Sequence, residues 1–200
     1  MSGMSSYFIS VWLKFLILLT PFFVLSVFLT LTQGHAARAR QRLAIRVTVA
    51  VITAALLLYF LGNSIFQILG ITIDAFRVGS GALLFLSAVS LVRAEAPLGR
   101  HDEGEDIAVV PLAIPVTIGP ATTGALLVMG AERREWLEHL AGCGALVAAI
   151  LTVGGMLLLA NRIQHWLGER GLSILSKLTG LALAALAAQM ILEGIKNSFR

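Results

Sequence analysis

The groups in this chain best placed to do chemistry are backbone groups, not acids, bases or nucleophiles. Each half of the 200-residue sequence holds an apolar run broken by proline. The first is Leu18-Leu19-Thr20-Pro21-Phe22-Phe23, and the second runs Pro111-Leu112-Ala113-Ile114-Pro115-Val116-Thr117-Ile118-Gly119-Pro120. Pro21 and Pro120 stand 99 positions apart. Proline lacks an amide hydrogen and clashes with the turn before it, so the carbonyls of Ile17 and Val116 are expected to lose their helical partners. Gly119-Pro120 is the sharper break, because glycine permits unusual backbone angles and proline suits the first turn of a new helix. The amides of Ala121, Thr122 and Thr123 would then be free donors at a helix N-terminus, an arrangement that attracts a carboxylate or other anion. The hydroxyls of Thr20, Thr117, Thr122 and Thr123 add neutral polar contacts. Thr20, Pro21, Thr117, Gly119, Pro120, Ala121, Thr122 and Thr123 therefore form the candidate solute-binding set. The alternative is a pair of kinked helices whose hydroxyls bond to their own backbone.

The elements that must position these groups are membrane helices. The composition is 58% hydrophobic and 13% charged, against about half and about a quarter in a soluble domain. A spanning helix needs about 20 mostly apolar residues. Six such runs are expected: Phe15 to Gly34, with a pattern that can begin near Tyr7; the stretch after Arg46 to Leu61 or Ile68; Ile71 to Val92; Ile107 to Ala131; Leu140 to Asn161; and Leu172 to Ile195. Gly62-Asn63-Ser64 and Gly70 punctuate the second connection. Pro21 and Pro120 fall about 21 Å and 20 Å along their helices, near mid-membrane. Unpaired backbone groups at that depth persist only when buried in protein or lining a polar cavity.

One polar stretch, residues 93–106, divides the chain into a first three-helix repeat (1–92) and a second (107–200). Connections 1–2, 3–4 and 5–6 hold nine basic residues (Arg38, Arg40, Arg42, Arg46, Arg93, Arg100, Arg162, Arg170 and Lys177) against four on the other side. That bias places the 93–106 linker in the cytoplasm and both termini outside. Three spans per half then invert the second half relative to the first, and interrupted helices at matching places in inverted halves point to a transporter site. The segments around Arg77-Val78-Gly79-Ser80 and Lys177-Leu178-Thr179-Gly180, 100 positions apart, are weakly alike. The stripes Gly180/Ala184/Ala188 and Ala141/Ala145/Ala149 suit close helix packing.

Charges inside spans are few. Asp74 and Arg77 lie three apart on one helical face and can pair, with snorkelling of Arg77 to the interface as the alternative. Gln189 lies deep in the sixth run, able to bond to a broken helix or to serve as packing glue. Asp74, Arg77, Ser80 and Gln189 are candidates for supporting or gating roles. No Asp or Glu falls at mid-depth, so a cationic solute lacks a counter-charge there, and a small neutral or zwitterionic solute fits better. No metal-ligand spacing, zinc-protease motif or nucleophile elbow is present, so neither an enzyme nor a metal or other cofactor is expected. No basic patch interleaved with aromatics points to nucleic acid. Cys143 is the only cysteine, which rules out an intrachain disulfide.

These motifs make the chain similar to the MarC family of bacterial and archaeal membrane proteins, which includes the SnatA neutral amino-acid transporters. Phe76-Arg77-Val78-Gly79-Ser80-Gly81 resembles the family's Phe-Arg-Ile-x-Gly-Gly. Val110 through Pro120 resembles Val-Pro-Leu-Ala-Ile-Pro-x-x-x-Gly-Pro, and Gly168 through Ile195 also looks familial. The first span departs: Thr20, Phe23 and Ser26 stand where the family usually has Asn or Asp, Gly and Pro. Ser80 and Ala121 replace glycines, and Phe22 and Phe23 would narrow the first half-site. The resemblance implies six spans, an inner-membrane location, and movement of small neutral amino acids. The coupling ion, sodium or proton, the direction of transport and the oligomeric state are left open. A non-transporting membrane protein with a structural, assembly or partner-binding role is the alternative.

Overall fold

The structure, a computed structural model, describes residues 2–93, 117–132 and 136–199. Seven helices make up these residues: α1 (Ser2–Leu18), α2 (Pro21–Leu31), α3 (Ala37–Leu69), α4 (Ile73–Arg93), α5 (Pro120–Ala131), α6 (Trp136–Leu158) and α7 (Ala160–Ser198). No strand occurs among them. The 93–106 linker beyond Arg93, the Pro111–Pro115 half of the second motif and the Val116 carbonyl lie outside the described residues.

Four helices, α3, α4, α6 and α7, are long and apolar enough to cross a membrane. The α1/α2 pair, bent by 41° at its break, is a fifth if it forms one span. α5 supplies only the second half of the expected fourth span. Six spans and an inverted repeat are therefore not established by the described residues; an all-helical protein with several membrane-spanning helices is.

Helices run further than the apolar runs do. α3 begins at Ala37 and carries Arg38, Arg40, Arg42 and Arg46 on its first turns. Arg40 donates to the Thr32 carbonyl at 2.9 Å and to Asn161 Oδ1, which ties the α2–α3 turn to the start of α7. The connection expected between the fifth and sixth spans is likewise helical, with a bend at Gly168 (φ 63, ψ 173) inside α7. The punctuation at Gly62-Asn63-Ser64 does not interrupt α3, which ends at Gly70 in the left-handed region (φ 63, ψ 21). Gly62 serves packing instead: a Cβ there would strike the Leu127 carbonyl of α5. Gly130 meets Tyr59 of α3 in the same way. Lipid is as apolar as a membrane helix, so close backbone approach of this kind does much of the holding.

α5 is wedged against α3 and α4, α1 lies on α6, α2 on α7, and α4 on α7. Phe15, Leu19, Phe28, Tyr59, Leu126 and Leu146 are fully buried at the centre. In the α4–α7 seam a Cβ on Gly81 would lie 3.1 Å from the Ala187 carbonyl, and one on Gly180 3.2 Å from the Ala88 carbonyl. Ala145 and Ala149 are buried as expected, but Ala188 is exposed and Ala187 takes the inward place. The true helical period of 3.6 carries the buried line from Gly180 through Leu183 and Ala187 to Gly194, whereas a strict four-residue stripe drifts off the face.

Candidate functional site

Both expected breaks are present, and each starts a new helix with proline at its first position. At the first, the Leu19 amide donates to the Phe15 carbonyl at 2.9 Å and the Thr20 amide to the Ile17 carbonyl at 3.0 Å. The last turn of α1 tightens to reach Ile17, so that carbonyl is not orphaned, contrary to expectation. Thr20 then turns left-handed (φ 45, ψ 58), the one non-glycine residue with positive φ among the described residues. Its side chain makes no capping bond. The Val24 amide donates to the Thr20 carbonyl at 3.0 Å and α2 proceeds.

The second break is conformationally ordinary. Gly119 is extended (φ −81, ψ 175), a conformation open to any residue, so no special glycine angle is used. The Thr123 amide donates to the Gly119 carbonyl at 2.8 Å. Thr123 is therefore not among the first-turn donors left without an intrahelical acceptor, contrary to expectation. The two breaks meet: the Thr122 hydroxyl donates to the Leu18 carbonyl at 3.5 Å, a long bond joining residues 104 apart in sequence.

Pro21 is buried, as are Thr117 and Thr122, while Thr20, Gly119 and Thr123 are half-buried. Pro120 and Ala121 are the first residues of α5. Thr117 faces a hollow of only about 10 Å³ against Leu19, Val47 and Thr48. Phe22 and Phe23 are half-buried and pack onto the central core.

A larger cavity, about 260 Å³, opens beside the breaks between α1, α4, α5 and α7. Leu18, Leu84, Ala125 and Val128 form its apolar wall. Its polar wall is Lys14, Arg77, Glu132, Gln189 and Glu193, two cations against two carboxylates. Leu18 belongs both to this wall and to the meeting of the breaks. Arg77, only 7% exposed, is the buried charge of the set. Its Nη1 lies 3.1 Å from Asp74 Oδ1 and its Nη2 2.6 Å from Glu132 Oε1. Asp74 also accepts from Asn197 Nδ2 of α7 at 3.3 Å. Arg77 therefore pairs, as the spacing to Asp74 suggests, and the pair extends across to α5. Charge removed from water persists when it is paired and hydrogen-bonded.

Ser80 donates to the Phe76 carbonyl of its own helix at 2.7 Å. Its role is spatial, since a Cβ on Gly124 of α5 would overlap it. Gln189 is exposed on the cavity side and donates to Glu193 Oε1 at 2.9 Å, one turn along α7, and not to a broken helix. Glu132 is the residue that sequence reasoning missed. It follows directly on the uncharged run that ends at Ala131, and its partner lies 55 residues away. The available signal was an acid adjoining the end of the half-helix that begins at Pro120.

The family model for MarC family integral membrane proteins matches this chain over residues 5–199. A UPF0056 membrane protein of Methanocaldococcus jannaschii is 31% identical over 96% of this chain and 97% of its own length. One from Aquifex aeolicus is 30% identical, over 95% and 92%. The UPF0056 membrane protein YhcE of Escherichia coli is 29% identical, over 94% of each. No solved structure matches. With its family pattern matched from end to end on a bundle of membrane-spanning helices, the chain belongs to the MarC family of integral membrane proteins.

Proposed function

We propose that this protein is a secondary transporter or exporter of small neutral or zwitterionic solutes, with neutral amino acids the leading class, and not an enzyme. It works from an inner membrane with both termini outside. Two helix breaks meeting beside one cavity carry the proposal: the Thr122 hydroxyl reaches the Leu18 carbonyl, and Leu18 also walls the 260 Å³ space. That volume lies just under the roughly 300–1,000 Å³ of drug-sized pockets, which suits a solute of a few heavy atoms. Equal numbers of cations and carboxylates on its wall suit a solute of zero net charge. Thr20, Thr117, Thr122, Thr123 and the first amides of α5 form the polar middle of the path, and the charged cavity is its vestibule. α5 packs on α4 as α2 packs on α7, the pairing that an exchange of inverted halves would produce. Rocking of one half against the other would then alternate access.

One observation favours a second reading, a non-transporting membrane protein with a structural role. The hollow at Thr117 holds about 10 Å³, near the lower limit for a single water, and this side of the breaks is closed.

Flux of labelled glycine, alanine, serine and threonine in proteoliposomes, under separately imposed sodium and proton gradients, separates the two. Gly119 is extended, so Gly119→Leu introduces bulk at the break without backbone strain. Flux in the wild type that the variant loses supports transport. Equal flux in both refutes this site, and none in either refutes transport.

A further inference from the structure

The charged groups on the wall of the 260 Å³ cavity are Lys14, Arg77, Glu132 and Glu193, and their bonding separates them into two sorts. Arg77 of α4 is engaged at both ends of its guanidinium fork, by Asp74 at one nitrogen and by Glu132 at the other. Lys14 of α1 and Glu193 of α7 are open. Among the described residues no carboxylate pairs with the Lys14 ammonium, and no cation pairs with the Glu193 carboxylate. Gln189 donates from its side-chain amide to Glu193 Oε1 at 2.9 Å. A neutral group thus holds that carboxylate in place and leaves its charge unmatched.

Both open groups stand where an entering solute meets them. Lys14 shares the cavity face of α1 with Leu18, one turn or about 6 Å along the helix. The Leu18 carbonyl takes the Thr122 hydroxyl, so Lys14 is one turn from the meeting of the two breaks. Glu193 shares its face of α7 with Leu186, Gln189 and Met190. Both charged side chains are exposed. A charge among membrane-spanning helices persists by pairing or by facing a water-filled space. Neither of these two is paired, so each depends on the cavity, and an opposite charge arriving there completes it. The rest of the wall, with Leu84, Ala125 and Val128, is apolar and suits an uncharged solute side chain.

We propose that Lys14 and Glu193 are the two ends of a zwitterion receptor. The Lys14 ammonium takes the solute carboxylate, and the Glu193 carboxylate takes the solute ammonium. Gln189 is a positioning residue for Glu193. Lys14 belongs to the first half of the chain and Glu193 to the second, so a solute carrying both charges bridges α1 to α7. An anion engages α1 alone and a cation α7 alone. Only the zwitterion favours a state in which the two helices are drawn together, because a ligand shifts an equilibrium by its differential contacts. As a step in transport, this bridging rests on the function proposed above; as a binding event it stands apart and is measured apart.

The test is titration calorimetry on the full chain in lipid nanodiscs, at about pH 6 so that every amine is protonated. The probes are alanine with both charges, propionate with the carboxylate alone and alaninamide with the ammonium alone. Each charge-assisted contact is worth about tenfold in affinity, so wild type should bind alanine about tenfold more tightly than either other probe. Lys14→Gln should weaken alanine and propionate about tenfold and leave alaninamide unchanged. Glu193→Gln should weaken alanine and alaninamide and leave propionate unchanged. Lys14→Arg keeps the charge and should keep alanine binding. A merely structural role for either residue would move all three probes alike. Equal affinity of wild type for the three probes, an equal loss for all three in either glutamine variant, a loss in Lys14→Arg as large as in Lys14→Gln, or no alanine binding by wild type overturns the proposal. Wild-type flux without this crossed pattern sinks the receptor and leaves transport standing. The crossed pattern without flux supports the receptor and sinks transport.

Discussion

Replacing Gly130 by alanine should loosen α5 from α3. A Cβ at position 130 would stand 3.0 Å from Tyr59 Cα and 2.7 Å from the Tyr59 carbonyl carbon, and closer still to the carbonyl oxygen. All three are backbone atoms of a helix, so no rotamer change relieves the overlap. The helices must part, and the next contact along the seam, Gly62 against Leu127, opens with them. Overpacking of a tight interior typically costs about 1–3 kcal/mol, and a clash with backbone belongs at the upper end. Alanine returns about 1 kcal/mol of helix propensity over glycine. The net loss is about 2 kcal/mol, or roughly 4–8 °C in melting temperature for a chain of this size. Gly155→Ala in α6 is the control, because nothing lies within 4 Å of its Cβ position; it should be neutral or gain up to about 1 kcal/mol. Thermal unfolding of both variants in the same detergent decides the matter. If Gly130→Ala melts with Gly155→Ala at or above wild type, the α3–α5 seam is not held by close backbone approach.

Two further outcomes are expected. Thr20→Asn should raise the melting temperature, since a left-handed residue with a Cβ costs about 1–2 kcal/mol and Asn tolerates that region far better than Thr; a lower value would mean that Thr20 is not strained. Met129→Trp should fill the cavity wall at a half-buried position and abolish solute flux, at an overpacking cost of no more than about 3 kcal/mol. Full flux through a folded Met129→Trp protein would show that solutes take another route.

How much of the site was legible depends on how local its cause is. Pro21 and Pro120 break their helices for a covalent reason, the missing amide hydrogen, and both breaks were readable at the residue. The pairing of Arg77 with Asp74 was readable too, since three positions on a helix bring side chains together. The left-handed turn at Thr20 was not readable, since Thr itself gave no hint of it. Gly62 looked like punctuation and proved to be the contact for the Leu127 carbonyl. Arg162 and Arg170 looked like a loop and lie in a helix. Polar residues mark where a span leaves lipid, but they do not end hydrogen bonding along the backbone.

Composition and run length were enough to make this a protein of membrane-spanning helices, and proline chemistry was enough to locate two interruptions. Folding alone decided that the interruptions meet through Thr122 and Leu18, that Glu132 closes on Arg77, and that the open space lies toward the charged wall and not toward Thr117. A soluble helix advertises its inner face by an apolar stripe. A helix in lipid is apolar all round, so its sequence says that it is buried in something without saying which side meets protein. That choice is made by the fit of backbones at a few small residues, and such fit exists only once the helices are together.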